Sequence, residues 1–304
     1  AKINSKKYKS ALEKLRKLGV TVFDKSSAKD SLDWDCMAGY DEVKKEIEDT
    51  LILAIKHPNE YDEVARKTRR HFESNRPRAI LLSGPPGTGK TLTARIIAHR
   101  SDKPMVHVSI ESIVSKWYGE SEQRMGQIFE ACEDLGGAIM FIDEIDSLAS
   151  SRDLASSNEA SRRILSVILR KIEGFEGVTS STLIAATNRK MDLDSALISR
   201  FNLCVSFDLP DTSSRAAIFE LYASQLTSNE HEKLARISDH LSCRDIKDVC
   251  ETAERKWASD LIHKKVSKAV PGVEVYEKSI YDRFSGLSGS SLSRDNEESV
   301  NSMV

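Results

Sequence analysis

The chain has 304 residues, enough for one large domain and a smaller one, each with its own buried core. Its 45 Lys and Arg against 47 Asp and Glu give a net charge of −2, which excludes the basic surplus of a nucleic-acid-binding domain. No apolar run has the length of a membrane span, and no secretory apolar region is visible.

Ala1 rather than Met opens the chain, which leaves room upstream for a targeting segment or anchor. Membrane association is expected only through such a segment. Residues 1–30 read as a helical and polar extension. It holds a basic stretch from Lys2 to Lys17, a helix over Ser5–Leu18 with Leu12, Leu15 and Leu18 on one face, and a polar linker, Asp24–Ser31. Residues 31–210 read as a large α/β domain. Val43, Ile47, Leu51 and Ile55 form one helical face that stops before Pro58. Strands are predicted at Ile80–Leu82, Met105–Val108, Ile139–Ile142, Leu183–Ala186 and Leu203–Phe207, separated by helices. That alternation implies a parallel sheet covered by helices on both faces. Residues 211–284 read as a small all-helical domain, with helices at Ser213–Gln225, Glu230–Leu241 and Arg244–Lys265. The Ser-rich tail, 285–304, is predicted to be disordered. Cys36, Cys132, Cys204, Cys243 and Cys250 are odd in number and lack C-x-x-C spacing, so they read as buried thiols. The expected location is an intracellular reducing compartment, cytosol or organelle matrix.

Gly84-Pro85-Pro86-Gly87-Thr88-Gly89-Lys90-Thr91 links an apolar strand to an amphipathic helical stretch that starts at Leu92. Glycines at those positions let the backbone turn tightly and aim successive N–H groups at phosphate oxygens, and the helix adds its positive end. Lys90 is expected to reach the β- and γ-phosphates, and the Thr91 hydroxyl to ligate Mg²⁺. A second apolar strand ends in Asp143-Glu144. Beside a phosphate loop, Asp143 is placed to hold the Mg²⁺ shell and Glu144 to orient and deprotonate a water. Taken alone, the acidic pair would read equally as a helix N-cap. No Asn-Lys-x-Asp base reader is present, because Asn188-Arg189-Lys190-Met191-Asp192 has the wrong spacing. ATP is therefore the expected nucleotide.

Gly84–Thr91, Ile139–Asp146 and Ala185-Ala186-Thr187-Asn188-Arg189 together resemble the AAA ATPases, over Trp34 to Lys265. The resemblance runs to the group with katanin, spastin and the membrane-protein dislocases. It implies a P-loop NTPase sheet followed by a helical lid. Trp34-Asp35-Cys36-Met37-Ala38-Gly39 is similar to the group's Trp-x-Asp-Val-Ala-Gly stretch, which would put Ala38 and Gly39 near adenine, with Cys36 where aspartate is usual. Asn188 would be the sensor of the attacking water, or else a turn-forming Asn after a strand. Arg200 would be the arginine finger acting on a neighbour's ATP. A second arginine is usual nearby, and Ser199, Asn202 and Leu203 stand here instead. Arg244 is either a second sensor at the γ-phosphate or an exposed arginine in a first helical turn.

Trp117 and Tyr118 precede Gly119 amid charge, and neighbouring side chains cannot both face inward on a short turn. They resemble the substrate-gripping pore loop of protein-remodelling rings, Trp117 being the main gripping residue. The other reading is a tryptophan that anchors the loop. Glu173-Gly174-Phe175 resembles an inter-subunit signalling turn, which implies a homo-hexamer. The expected function is an ATP-driven ring that remodels, unfolds or extracts a protein substrate whose identity the sequence does not give. The alternatives are a nucleotide-gated assembly scaffold with little turnover, or a nucleic-acid-acting AAA+ protein, though no nucleic-acid partner is expected.

Overall fold

The computed structural model describes residues 5–24, 32–113, 120–149, 164–171 and 181–285. In chain order the elements are α1 (Ser5–Lys17), β1 (Thr21–Phe23), α2 (Asp41–Ile47), a π-helical stretch (Glu48–Ile52), α3 (Leu53–Lys56), α4 (Pro58–Thr68), β2 (Ala79–Ser83), α5 (Lys90–Arg100), β3 (Met105–Val108), α6 (Ile110–Ile113) and α7 (Glu120–Asp134). There follow β4 (Ile139–Ile142), α8 (Asp146–Ala149), α9 (residues 164–171), β5 (Thr182–Thr187), α10 (Ser195–Ile198), β6 (Leu203–Ser206), α11 (Thr212–Tyr222), α12 (Ser228–Ile237), α13 (Cys243–Ile262) and α14 (residues 273–285). Contacts divide the chain into two units. The first holds the chain to Met37 and Asp41–Asp208; the second holds Ala38–Tyr40 and the chain from Leu209.

In the first unit six strands lie in the order β1-β3-β4-β5-β2-β6. The five predicted strands run parallel, and β2, β4 and β5 are buried at every position. Burial on both faces is why they read as unbroken apolar runs rather than alternations. Ala79 and Leu81 join a core with Met140, Leu183, α1 and α7, while Ile80 and Leu82 are equally buried on the opposite face.

The sixth strand, not anticipated, adds an antiparallel edge to the parallel sheet. β1 pairs antiparallel with β3, Val22 opposite Val106. Residues 5–24 are thus no appendage: Gly19, at φ 79°, reverses the chain after α1, and Ala11 and Leu15 enter the core beside α7. Pro58 also differs from expectation. It ends α3 but opens α4, where a missing N–H costs nothing. The π stretch shifts the buried face, so Ile52 and Ala54 join Ile47 and Leu51.

Among its described residues the second unit holds helices α11 to α14 and no strand. Asp211 caps α11 through Ser214 N, and capping boxes open α12 (Thr227, Glu230) and α13 (Ser242, Asp245). Its core gathers Phe219, Leu234, Ile246, Val249 and Cys250 with Tyr276 and Ile280 of α14, a helix not anticipated beyond Lys265. No helix among the described residues is long and apolar enough to cross a membrane. The five cysteines are free thiols but not uniformly buried: Cys36 is exposed, and Cys204 and Cys243 are half-buried.

Candidate nucleotide site

β2 delivers the chain to Gly84, whose φ of 145° and surroundings admit only glycine: a Cβ would lie 1.9 Å from the Phe207 carbonyl oxygen. Gly89, at φ 99°, is the left-handed residue from which α5 starts. The first N–H groups of α5 therefore face the loop and can meet an anion. Lys90 is 6% exposed, and its Nζ donates to the carbonyls of Gly84 (2.7 Å) and Pro85 (2.8 Å). The Thr88 hydroxyl donates to the Pro85 carbonyl at 2.9 Å, closing the turn.

Asp143 directly follows β4. Thr91 Oγ1 donates to Asp143 Oδ2 at 3.0 Å, and the Glu144 N–H donates to Asp143 Oδ1 at 3.0 Å. Asp143 thus bonds the phosphate-loop helix rather than capping α8. Glu144 is exposed at φ 52°, in the left-handed region that a non-glycine residue occupies only when held there.

β5 lies between β2 and β4, with Thr187 opposite Ser83 and Ala185 opposite Ile142. Gly84 N–H donates to the Thr187 carbonyl at 3.3 Å. Asn188, exposed, comes one residue later, so phosphate loop, Asp143, Glu144 and Asn188 share one end of the sheet. A pair that sequence reasoning missed locks this end: the Thr187 hydroxyl donates to Asp146 Oδ1 at 2.7 Å and accepts from Arg189 N–H at 3.0 Å. Its only signal was a third acid after the paired ones.

Arg200 is not part of that constellation. Asn202 N–H donates to the Ala79 carbonyl at 2.9 Å, and its Oδ1 accepts from Arg78 N–H (2.9 Å) and Ala79 N–H (3.0 Å). Arg200 therefore stands at the amino end of β2, about 13 Å of strand from the phosphate loop. Its Nη1 donates to the Ala196 carbonyl at 2.5 Å.

Ala38, Gly39 and Arg244 belong to the second unit. Gly39 (φ 72°) packs where a Cβ would be 2.4 Å from Ser214 Oγ, and Arg244 is exposed in the first turn of α13. Leu92 is half-buried on α5. Trp117 and Tyr118, and Glu173-Gly174-Phe175, lie outside the described residues.

The profile of the family described as "ATPase family associated with various cellular activities (AAA)" matches residues 80–209. The proteasome-activating nucleotidase of Methanopyrus kandleri is 33% identical over 227 residues, covering 72% of this chain and 50% of the relative. The 26S proteasome regulatory subunit 8 of Caenorhabditis elegans is 33% identical over 227 residues, covering 72% of this chain and 53% of the relative. The chain thus spans about half the length of these curated relatives. The crystal structure of the FIGL-1 AAA domain in complex with ADP superposes with a TM-score of 0.67 at 26% identity, covering 89% of each chain.

Proposed function

Because this chain belongs to the AAA ATPases, nucleotide-binding hydrolases, we propose that it assembles as a ring and spends ATP on remodelling, unfolding or extracting protein substrates through a central pore. One observation carries the proposal. The groups suited to binding and attack sit at one end of the sheet, while Arg200 sits at the other, away from its own phosphate loop, and in this reading it serves a neighbouring subunit's nucleotide. Relatives named for activating the proteasome support a protein substrate.

In this reading the phosphates lie against the N–H groups of the Gly84–Thr91 loop with Lys90 on the β- and γ-phosphates. Magnesium would be held by Thr91 and Asp143, hard oxygen donors already 3.0 Å apart. Among the described residues no group of three His, Cys, Asp or Glu side chains could hold a metal alone, so phosphates would complete the shell. The ion would neutralise charge on the phosphates. Glu144 takes the proton of the attacking water, Asn188 orients that water, and a neighbour's Arg200 stabilises charge on the transferring group. Trp117 and Tyr118 grip the substrate.

The second reading, a nucleotide-gated scaffold, draws on Arg200 lacking the usual companion arginine at Ser199, Asn202 or Leu203. Turnover per subunit measured across protein concentration separates the two. The motor requires it to rise with assembly. A flat profile, or a strictly monomeric species by native mass spectrometry of Glu144→Gln with ATP, would overturn the ring.

A further inference from the structure

The helix that starts in the phosphate loop ends at Arg100, and this guanidinium bridges two other segments. Its Nη1 donates to Asp33 Oδ1 at 2.6 Å and its Nη2 to Glu48 Oε1 at 2.8 Å. The same carboxylates hold the turn Trp34–Cys36: Trp34 N–H donates to Asp33 Oδ1 at 2.6 Å, and Trp34 Nε1 to Glu48 Oε2 at 3.1 Å. Met37, which ends that turn, is 6% exposed. Its Sδ accepts from the Thr93 hydroxyl at 3.5 Å, and its Cε lies 3.4 Å from where a Cβ on Gly89 would stand. Cys36 brings no carboxylate to the turn; Asp33 and Glu48 bring two.

We propose that Arg100 is a positioning residue for nucleotide binding: with Asp33 and Glu48 it holds the Trp34–Met37 turn so that Met37 braces the phosphate loop at Gly89 and Thr93. The proposal rests on the ATP-binding reading of that loop. A fork that reaches two carboxylates on separate segments fixes both in register, which a single-point cation cannot do. Burial pushes the Glu48 carboxyl up, but the bonds from Arg100 and Trp34 outweigh it and hold the group below its usual range.

The test is titration with a fluorescent ADP analogue, well below each variant's unfolding temperature. Arg100→Leu should weaken binding about tenfold, Met37→Ala similarly, and the double variant by clearly less than the product of the two. Arg100→Lys, which keeps the charge without the fork, should fall between and serves if Arg100→Leu does not fold. Arginine variants that lose stability yet bind within about twofold of wild type would overturn the proposal, as would independent, multiplying effects. A wild-type chain that fails to bind the analogue would overturn the ATP-binding reading as well.

Discussion

The two ends of β2 are built by different means. At the carboxyl end the backbone does the specifying: Gly84 has no room for a Cβ, Gly89 is left-handed, and Lys90 bonds the loop's own carbonyls. At the amino end a side chain does it, with Asn202 Oδ1 receiving the N–H groups of both Arg78 and Ala79. The first end gathers its phosphate-loop, Thr91 and Asp143 contacts from one chain. The second presents an arginine that its own phosphate loop does not use. Binding and turnover should therefore be separable by mutation.

The largest expected effect comes from Arg200→Ala, which should cut turnover by about 10³-fold or more while nucleotide affinity holds. Glu144→Gln should cost about 10²–10⁴-fold and also spare binding. Mixing the two variants sharpens the comparison, because a subunit with intact Glu144 can then meet an intact Arg200 from its neighbour. Recovered turnover in a coupled ATPase assay is expected; none at any ratio would mean that the two ends act independently of assembly. Asn202→Ala leaves two N–H groups without their acceptor and should lower stability by about 1–2 kcal/mol in urea unfolding, with nucleotide affinity unchanged.

The smallest effect is that of pH. The Trp34 N–H and then Arg100 hold the Asp33 carboxyl below its ordinary range, and Glu48 is also lowered. Both favour the ionised form more in the folded than in the unfolded state. Their contribution is full above the unfolded pKa values, near 4, and is lost as pH falls through the folded ones. Urea midpoints between pH 6 and 3 should drop less steeply for Asp33→Asn than for wild type.

Much of the site was legible because its signals are local. The phosphate loop needs glycines at fixed spacing, and strands buried on both faces announce themselves as apolar runs. β1 escaped notice because it is a three-residue edge strand with Val22 alone even half-buried. α4 escaped because Pro58 reads as a terminator and Ala65 is its only buried residue. The Thr187–Asp146 and Arg100–Asp33 contacts join residues 41 and 67 apart, each unremarkable in its own stretch. Asn202 is a sharper case. Read as the place of a missing arginine, it proves to tie β6 to β2.

β1 also bears on solubility. Without it, β3 would be the outermost strand, its unpaired N–H and C=O groups open to any extended segment that came by. β1 replaces that rim with three residues, too few to recruit another chain. A shorter piece beginning at Ser31 would keep the phosphate loop and the Asp33–Arg100 contact, and its failing would be self-association in the test tube rather than weaker binding.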